Sequence, residues 1–159
     1  MRIKFLFLII VLLFSNLYAN SYTIMLDFIN STFVEKNINN ALKYTDNKVV
    51  FRDNGNGSGI KELKKIDNNV KFNIISISFF NKDNFRMIGK TVYLEYSVLN
   101  GKHRFKLPFN FKKYLTKTSK GFFIVLHLKT KSKEDDIVLL FVFDKINSEY
   151  KLVFFTDPV

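Results

Sequence analysis

The chain has no cysteine and no tryptophan, and only two histidines, two prolines and six glycines. Without cysteine there is no disulfide framework, no thiolate nucleophile, no cysteine-ligated zinc and no lipid-bearing cysteine anchor. The two imidazoles, His103 and His127, fall on different expected strands, and no Ser/His/Asp order or G-x-S-x-G elbow accompanies them. No metal site is therefore expected, and no cofactor. Arginine numbers four. Proteins that read duplex nucleic acid rely on arginine forks for phosphates and base edges, so nucleic acid is not an expected partner. Gly55, Gly57 and Gly59 precede a helix, but the Lys-Ser/Thr ending of a phosphate-cradling loop is missing, and the segment reads as a connector.

What is present is one domain's worth of chain: 159 residues, 47 % apolar and 25 % charged, with a formal charge of +11. Lys, Phe, Asn and Ile, all encoded by A/T-rich codons, make up nearly half of it. The lysine excess is then partly a product of a bacterial base composition. The clusters at Lys112, Lys113, Lys117 and Lys120 and at Lys129, Lys131 and Lys133 read as a solvated rim able to attract an anionic envelope component.

Residues 1–19 read as a secretory signal peptide. Arg2 and Lys4 supply the charged start, Phe5 to Phe14 an unbroken apolar run, and Ala19 a small residue at the cut. About ten apolar residues are too few for a spanning helix, which needs roughly 20. The mature chain is expected to run from Asn20 to Val159 with a charge of +9, to carry no transmembrane segment, and to be periplasmic or secreted.

Beyond the leader, Met25, Phe28, Ile29 and Phe33, then Ile38, Ala41 and Leu42, recur at helical spacing and predict helices over 21–35 and 37–45. Val49-Val50-Phe51 predicts a short strand, and Ser58 is a candidate cap for a short helix through Ile60, Leu63 and Ile66. From Val70 the period becomes two. Val70, Phe72 and Ile74 alternate, and then the apolar phase slips to Ile75, Ile77 and Phe79, as a β-bulge requires. Val92 to Val98 and an Asn100-Gly101 turn predict a hairpin. Phe105, Leu107, Phe109 and Phe111 alternate as a further strand, with Pro108 marking an edge. Strands are also expected over 122–130, 137–144 and 149–156, with Glu134-Asp135-Asp136 as a turn and Ile137 to Phe143, apolar throughout, as a central strand. The fold class is α+β: a single domain with N-terminal helices packed in a strongly curved antiparallel sheet.

The helix ending at Phe33, the polar break at Lys36-Asn37, the Ala41 to Tyr44 helix, the run from Asp46 to Asp53 and the Gly-rich loop into Gly59-Ile60-Lys61-Glu62-Leu63 carry a resemblance. So do Phe141 to Ile146 and Tyr150 to Val153. Together, over 28–66 and 137–156, they resemble the nuclear transport factor 2-like superfamily, which includes SnoaL-like proteins and ketosteroid isomerases. The middle of the chain fits only as generic sheet and is longer, by about one hairpin between 100 and 120. The resemblance implies a cone-shaped domain with an apolar pocket and, since such domains often pair through sheet faces, a homodimer among the expected assemblies. It places Asp53 where isomerase members keep their general base. The two oxyanion donors of those enzymes fall on Ile29 and Leu139, which cannot donate a hydrogen bond.

The expected function is thus an exported, non-enzymatic binding protein that holds an apolar or amphipathic small molecule in a Phe-rich cone pocket. Phe28, Ile29 and Phe33 are the expected walls, and Tyr44, Asp53 and His127 the expected polar groups. His127 enters because it shares a strand face with Phe123 and Val125. Two alternatives stay open. One is an envelope-interaction module using the sheet face and the Lys-rich rim. The other is an isomerase- or dehydratase-type enzyme with Asp53 as base aided by His127. An open cavity favours a ligand, and a filled core with an exposed apolar sheet patch favours the interaction module.

Overall fold

A computed structural model describes residues 22–52, 54–66, 71–80, 82–98, 101–117, 121–130 and 136–157. The first helix, α1 (22–29), widens into a π-turn at Asn30–Val34, closed by the Glu35 amide donating to the Asn30 carbonyl at 2.8 Å. Met25, Phe28, Ile29 and Phe33 form its buried stripe, as their spacing predicts. The extra residue in the turn also lets Ser31 and Thr32 face inward. Thr32 returns its hydroxyl to the Phe28 carbonyl at 2.7 Å, and the Asn40 side chain donates to Ser31 Oγ at 2.7 Å, so neither buried hydroxyl is orphaned. Lys36 then reverses the chain in the left-handed region, φ 59°. Asn37 caps α2 (Ile38–Ala41), which tightens into a 3-10 turn at Leu42–Tyr44.

Strand β1 (Thr45–Phe51) leads through a Gly-rich connector into α3 (Ser58–Lys64). The cap position of α3 belongs to Gly57, at φ 76°, and not to Ser58. The Ser58 hydroxyl instead accepts the Phe51 amide at 2.9 Å and fastens the helix to the end of β1. Gly59 sits so close to the sheet that a Cβ there would come within 2.9 Å of both Val49 and Phe155. Then come β2 (Phe72–Phe80), β3 (Phe85–Ile88), β4 (Thr91–Val98), β5 (Gly101–Lys106), α4 (Lys112–Lys117), β6 (Phe122–Thr130), β7 (Asp136–Ile146) and β8 (Glu149–Thr156).

The strands form two sheets. The larger has the order β1-β8-β7-β6-β2, and the smaller the order β3-β4-β5. The expectation of a purely antiparallel sheet needs correction, because β1 runs parallel to β8, with Val50 opposite Phe154 and Phe51 opposite Phe155. The slip in β2 is a true irregularity: the register against β6 shifts between Ile74 and Ser76. The apolar strand β7 is central, between β6 and β8. In the smaller sheet Val98 pairs with Gly101 across a hairpin loop whose residues 99 and 100 lie outside the described ones, as do 131–135, including Glu134 and Asp135 of the expected β6–β7 turn. The expected strand over 105–111 stops at Lys106. Pro108, at ψ 150°, starts a 3-10 turn over Phe109–Phe111 that continues into α4.

Both faces of the larger sheet are covered. On one, Ile124, Leu126, Leu128, Phe141, Phe143, Leu152 and Phe155 meet α1, α2 and α3 through Met25, Phe28, Ile29, Phe33, Ala41 and Leu63. Phe28 stands edge-on to Phe141 and Phe143, each at 5.5 Å between centroids. On the other face, Phe123, Val125, Leu140, Val142 and Phe154 meet the smaller sheet and the turn after it through Val92, Leu94, Leu107 and Phe111. Burial of each such Phe is worth about 2–3 kcal/mol, and well-set ring pairs add about 0.5–1.5 kcal/mol. The extra length in the middle of the chain is therefore a second layer over the back of the sheet, larger than the single hairpin expected.

Candidate functional site

The helix layer does not reach the end of the sheet where β1 and β8 finish and β7 begins. The short α3 and the π-turn diverge there and leave an open apolar cleft of about 160 Å³. Its walls are Phe33 from the π-turn, Phe51 from β1, Leu63 and Ile66 from the α3 region, Phe72 from β2, and Leu128, Ile137, Leu139, Phe141 and Phe155 from the sheet. Glu62 is the charged residue on its rim, paired with Lys65 at 2.6 Å. The rings interlock: Phe33 meets Phe72 edge-on at 5.8 Å, Phe141 stacks on Phe155 at 5.8 Å, and Phe51 tilts against Phe155 at 4.9 Å. Beside the cleft the Lys36 ammonium lies 4.0 Å from the centroid of the Phe72 ring, a cation–π contact.

The residues expected to form one site are dispersed. Phe33 lines the cleft. Phe28 and Ile29 are 0 % and 2 % exposed and belong to the core beneath it, so they hold the helix down and do not contact a cleft ligand. Tyr44 lies at the opposite end of the sheet, on a second and larger hollow of about 330 Å³ shared with Ile24, Lys43, Ser148, Glu149, Tyr150 and Lys151. Its hydroxyl donates to Asp27 at 3.2 Å, and burial, with the Asp27 carboxylate second, raises its pKa above the usual tyrosine value. Lys151 donates to the Lys43 carbonyl at 2.7 Å and pairs with Glu149 at 2.9 Å, so parts of that hollow's wall are tied together by local polar contacts.

His127 does share a strand face with Phe123 and Val125, but that face looks away from the helices. Its neighbours across the ladder are Ser76 and Val138, whereas the cleft side of the same strand carries Ile124, Leu126 and Leu128. Asp53 lies outside the described residues, as do the side chain of His103 and residues 1–21. Leu139, on the position the resemblance gives to an oxyanion donor, is part of the apolar cleft wall, and Ile29 is buried in the core. Among the described residues no three His, Asp or Glu side chains gather as a metal ion needs, and no helix is long and apolar enough to cross a membrane.

Sequence reasoning missed Phe51, Phe72, Leu139 and Phe155 as cleft walls, and Lys36 beside them. The available signal was the helical break at Lys36-Asn37, which marks where the helix layer parts from the sheet.

Where the two faces meet, the Arg52 guanidinium makes a two-pronged contact with the Asp157 carboxylate, joining the ends of β1 and β8. The Asn110 side chain donates to the Arg52 carbonyl at 2.8 Å from the back layer. Hydrogen bonding from Arg52 holds the Asp157 carboxyl below the usual carboxylate range and raises Arg52 in turn.

No family model matches the chain, and no curated protein matches it. Among solved structures it is similar to a conserved protein from Planctomyces limnophilus, at 11 % identity and a TM-score of 0.45, covering 89 % of this chain and 97 % of that one.

Proposed function

We propose that the protein is an exported bacterial binding protein, without enzymatic activity, whose helix-side cleft holds an apolar or amphipathic small molecule. The single observation that carries this reading is the cleft itself: an open hollow of about 160 Å³ walled by Phe, Leu and Ile, with Glu62 as the charged residue among its lining. A hollow of this size matches a ring-sized ligand, and apolar walls favour transfer of such a group out of water. The cone-shaped, nuclear transport factor 2-like architecture is part of the same proposal. Helices on one face of the sheet, the bulge in β2 and a pocket between the layers support it. The leader at residues 1–19 supports export to the periplasm or medium.

The back of the sheet, which an interaction module or a face-to-face homodimer would use, is occupied by Val92, Leu94, Leu107 and Phe111. That observation weighs for the ligand reading over the envelope-interaction one. The enzymatic alternative loses support from His127, which stands across the sheet from the cleft.

Native mass spectrometry of the protein recovered from its own host tests export and binding together. The expected product begins at Asn20 and carries a small molecule, and Leu139→Trp, which fills the cleft, loses that mass while keeping its far-ultraviolet spectrum. A product retaining Met1 contradicts export, and a bound mass unaffected by Leu139→Trp contradicts the site.

A further inference from the structure

The tip of a β-hairpin stands in water on most sides and is ordinarily built from small and polar residues. The hairpin of β3 and β4 departs from this. It reverses in two residues, Gly89 at φ 59° and Lys90, and the two residues that lead into the turn, Met87 and Ile88, are each 54 % exposed. Successive strand residues point to opposite faces, so one of these side chains flanks each side of the tip. Met87 pairs with the buried Val92, yet it stays exposed because β3 is the edge strand of the smaller sheet.

Behind the tip, the face that carries Ile88 is basic. Ile88 pairs with Thr91, the next row on that face runs from Arg86 through Tyr93 to Lys106, and the row after it sets Glu95 opposite Arg104. Glu95 is shared between Arg86 at 3.2 Å and Arg104 at 3.5 Å, and the Arg104 guanidinium lies 4.1 Å from the centre of the Tyr93 ring. One carboxylate between two guanidiniums leaves a positive surplus, to which Lys90 and Lys106 add, and all four cationic side chains are exposed. Two of the chain's four arginines stand here, so a base composition that inflates lysine does not account for this charge.

We propose that this hairpin docks the protein on an anionic phospholipid bilayer, Met87 and Ile88 entering the boundary between headgroups and acyl chains while Arg86, Lys90, Arg104 and Lys106 meet lipid phosphates. Charge complementarity selects the occupant. An apolar tip ringed by cations, with a tyrosine beside them, matches the layering of a negatively charged bilayer surface, where apolar groups sit deepest and aromatic and cationic groups at headgroup level. A second copy of a chain of charge +11 would bring like charge against like. Two apolar side chains are also too few for the core of a stable protein interface, whereas a bilayer closes around whatever enters it. The hairpin lies in the layer that covers the back of the larger sheet, across from the cleft, so this inference stands independently of the proposed ligand site.

The test sediments the protein, as recovered from its host, with vesicles of mixed phosphatidylglycerol and phosphatidylcholine and with vesicles of phosphatidylcholine alone. Partition onto the mixed vesicles is expected to be at least about tenfold stronger, and added salt should narrow the difference. The double variant Met87→Ser, Ile88→Ser should bind the mixed vesicles about tenfold more weakly with its far-ultraviolet spectrum unchanged. Val34→Ser, which removes an exposed apolar side chain from the helix layer, should stay within about twofold of wild type. Because the chain has no tryptophan, Ile88→Trp introduces a single reporter at the tip, and its emission should move to shorter wavelength on the mixed vesicles. Equal partition onto the two kinds of vesicle would overturn the recognition of anionic lipid. Undiminished binding by the double variant, an equal loss in Val34→Ser, or a tryptophan emission that does not move would overturn the role of the hairpin.

Discussion

Both faces of the five-stranded sheet are apolar, yet among the described residues they are covered differently, the back by a second sheet and the front by short helical pieces that leave a cleft at one end. The back is covered by another sheet, whose strands pair regularly from Phe85 opposite Leu94 to Val98 opposite Gly101, and Phe111 plugs the remaining gap against Phe85, Phe123 and Phe154. Tyr114 closes over Phe154 at 4.5 Å, and burial pushes its phenol up to about 12. The front is covered by short helical pieces joined at a π-turn, a left-handed lysine and a glycine connector. Sheet on sheet makes a continuous layer, whereas short helices of differing direction cannot cover a sheet to its end. The opening falls where the covering backbone is irregular.

The largest expected effects come from removing one ring on each face. Phe28→Ala and Phe111→Ala both empty positions that are 0 % exposed, and each should cost about 3–5 kcal/mol in denaturant unfolding. Their local consequences should differ. Phe28→Ala should weaken retention of the co-purifying small molecule by loosening α1 over the cleft. Phe111→Ala should strip hydrogen-exchange protection from β3 to β5 while the cleft still binds. If either variant unprotects both layers to the same extent, the faces form one cooperative unit and the contrast between them is only geometric.

Much of this layering was legible in the residues. The phase slip between Ile74 and Ile75 reports the bulge because each change of face costs one residue of register, and the unbroken apolar run in β7 reports a strand covered on both sides. The same property hid the site. With both faces apolar, alternation groups His127 with Phe123 and Val125 but cannot say which face the helices take. The segment from Phe105 to Phe111 misled for a related reason. Leu107 and Phe111 are both buried, and a spacing of four serves a turn and helix as well as a strand. Lys36 read simply as a polar break, since its value lies in a backbone conformation that composition does not report.

A smaller effect is expected where the faces are tied together at Arg52 and Asp157. Hydrogen bonding to Arg52 lowers the folded pKa of Asp157 below its unfolded value of about 3.9. The contribution is therefore fully present above about pH 4 and is lost as the pH falls through the folded value. The side chains of Arg52 and Asp157 remain 49 % and 39 % exposed, so Asp157→Asn should cost no more than about 1 kcal/mol at pH 7 and less in high salt. The gap in denaturant midpoint between wild type and variant should shrink steadily in strong acid. A gap independent of pH would assign the effect to shape and not to charge.

The smallest effect sharpens the contrast most. At Lys36 two terms oppose one another: the left-handed backbone disfavours any side chain by about 1 kcal/mol, and the ammonium on Phe72 returns about 0.5–1 kcal/mol. Lys36→Gly removes both, together with the other contacts of the side chain. Lys36→Met removes the charge and keeps the backbone cost. Gly should therefore unfold above Met, by roughly 2–4 °C for about 1 kcal/mol in a chain of this size. Neither variant carries an ammonium, so the ammonium's contacts drop out of that difference. If the two variants melt together, the φ of 59° costs nothing here. The irregular front would then be as relaxed as the regular back.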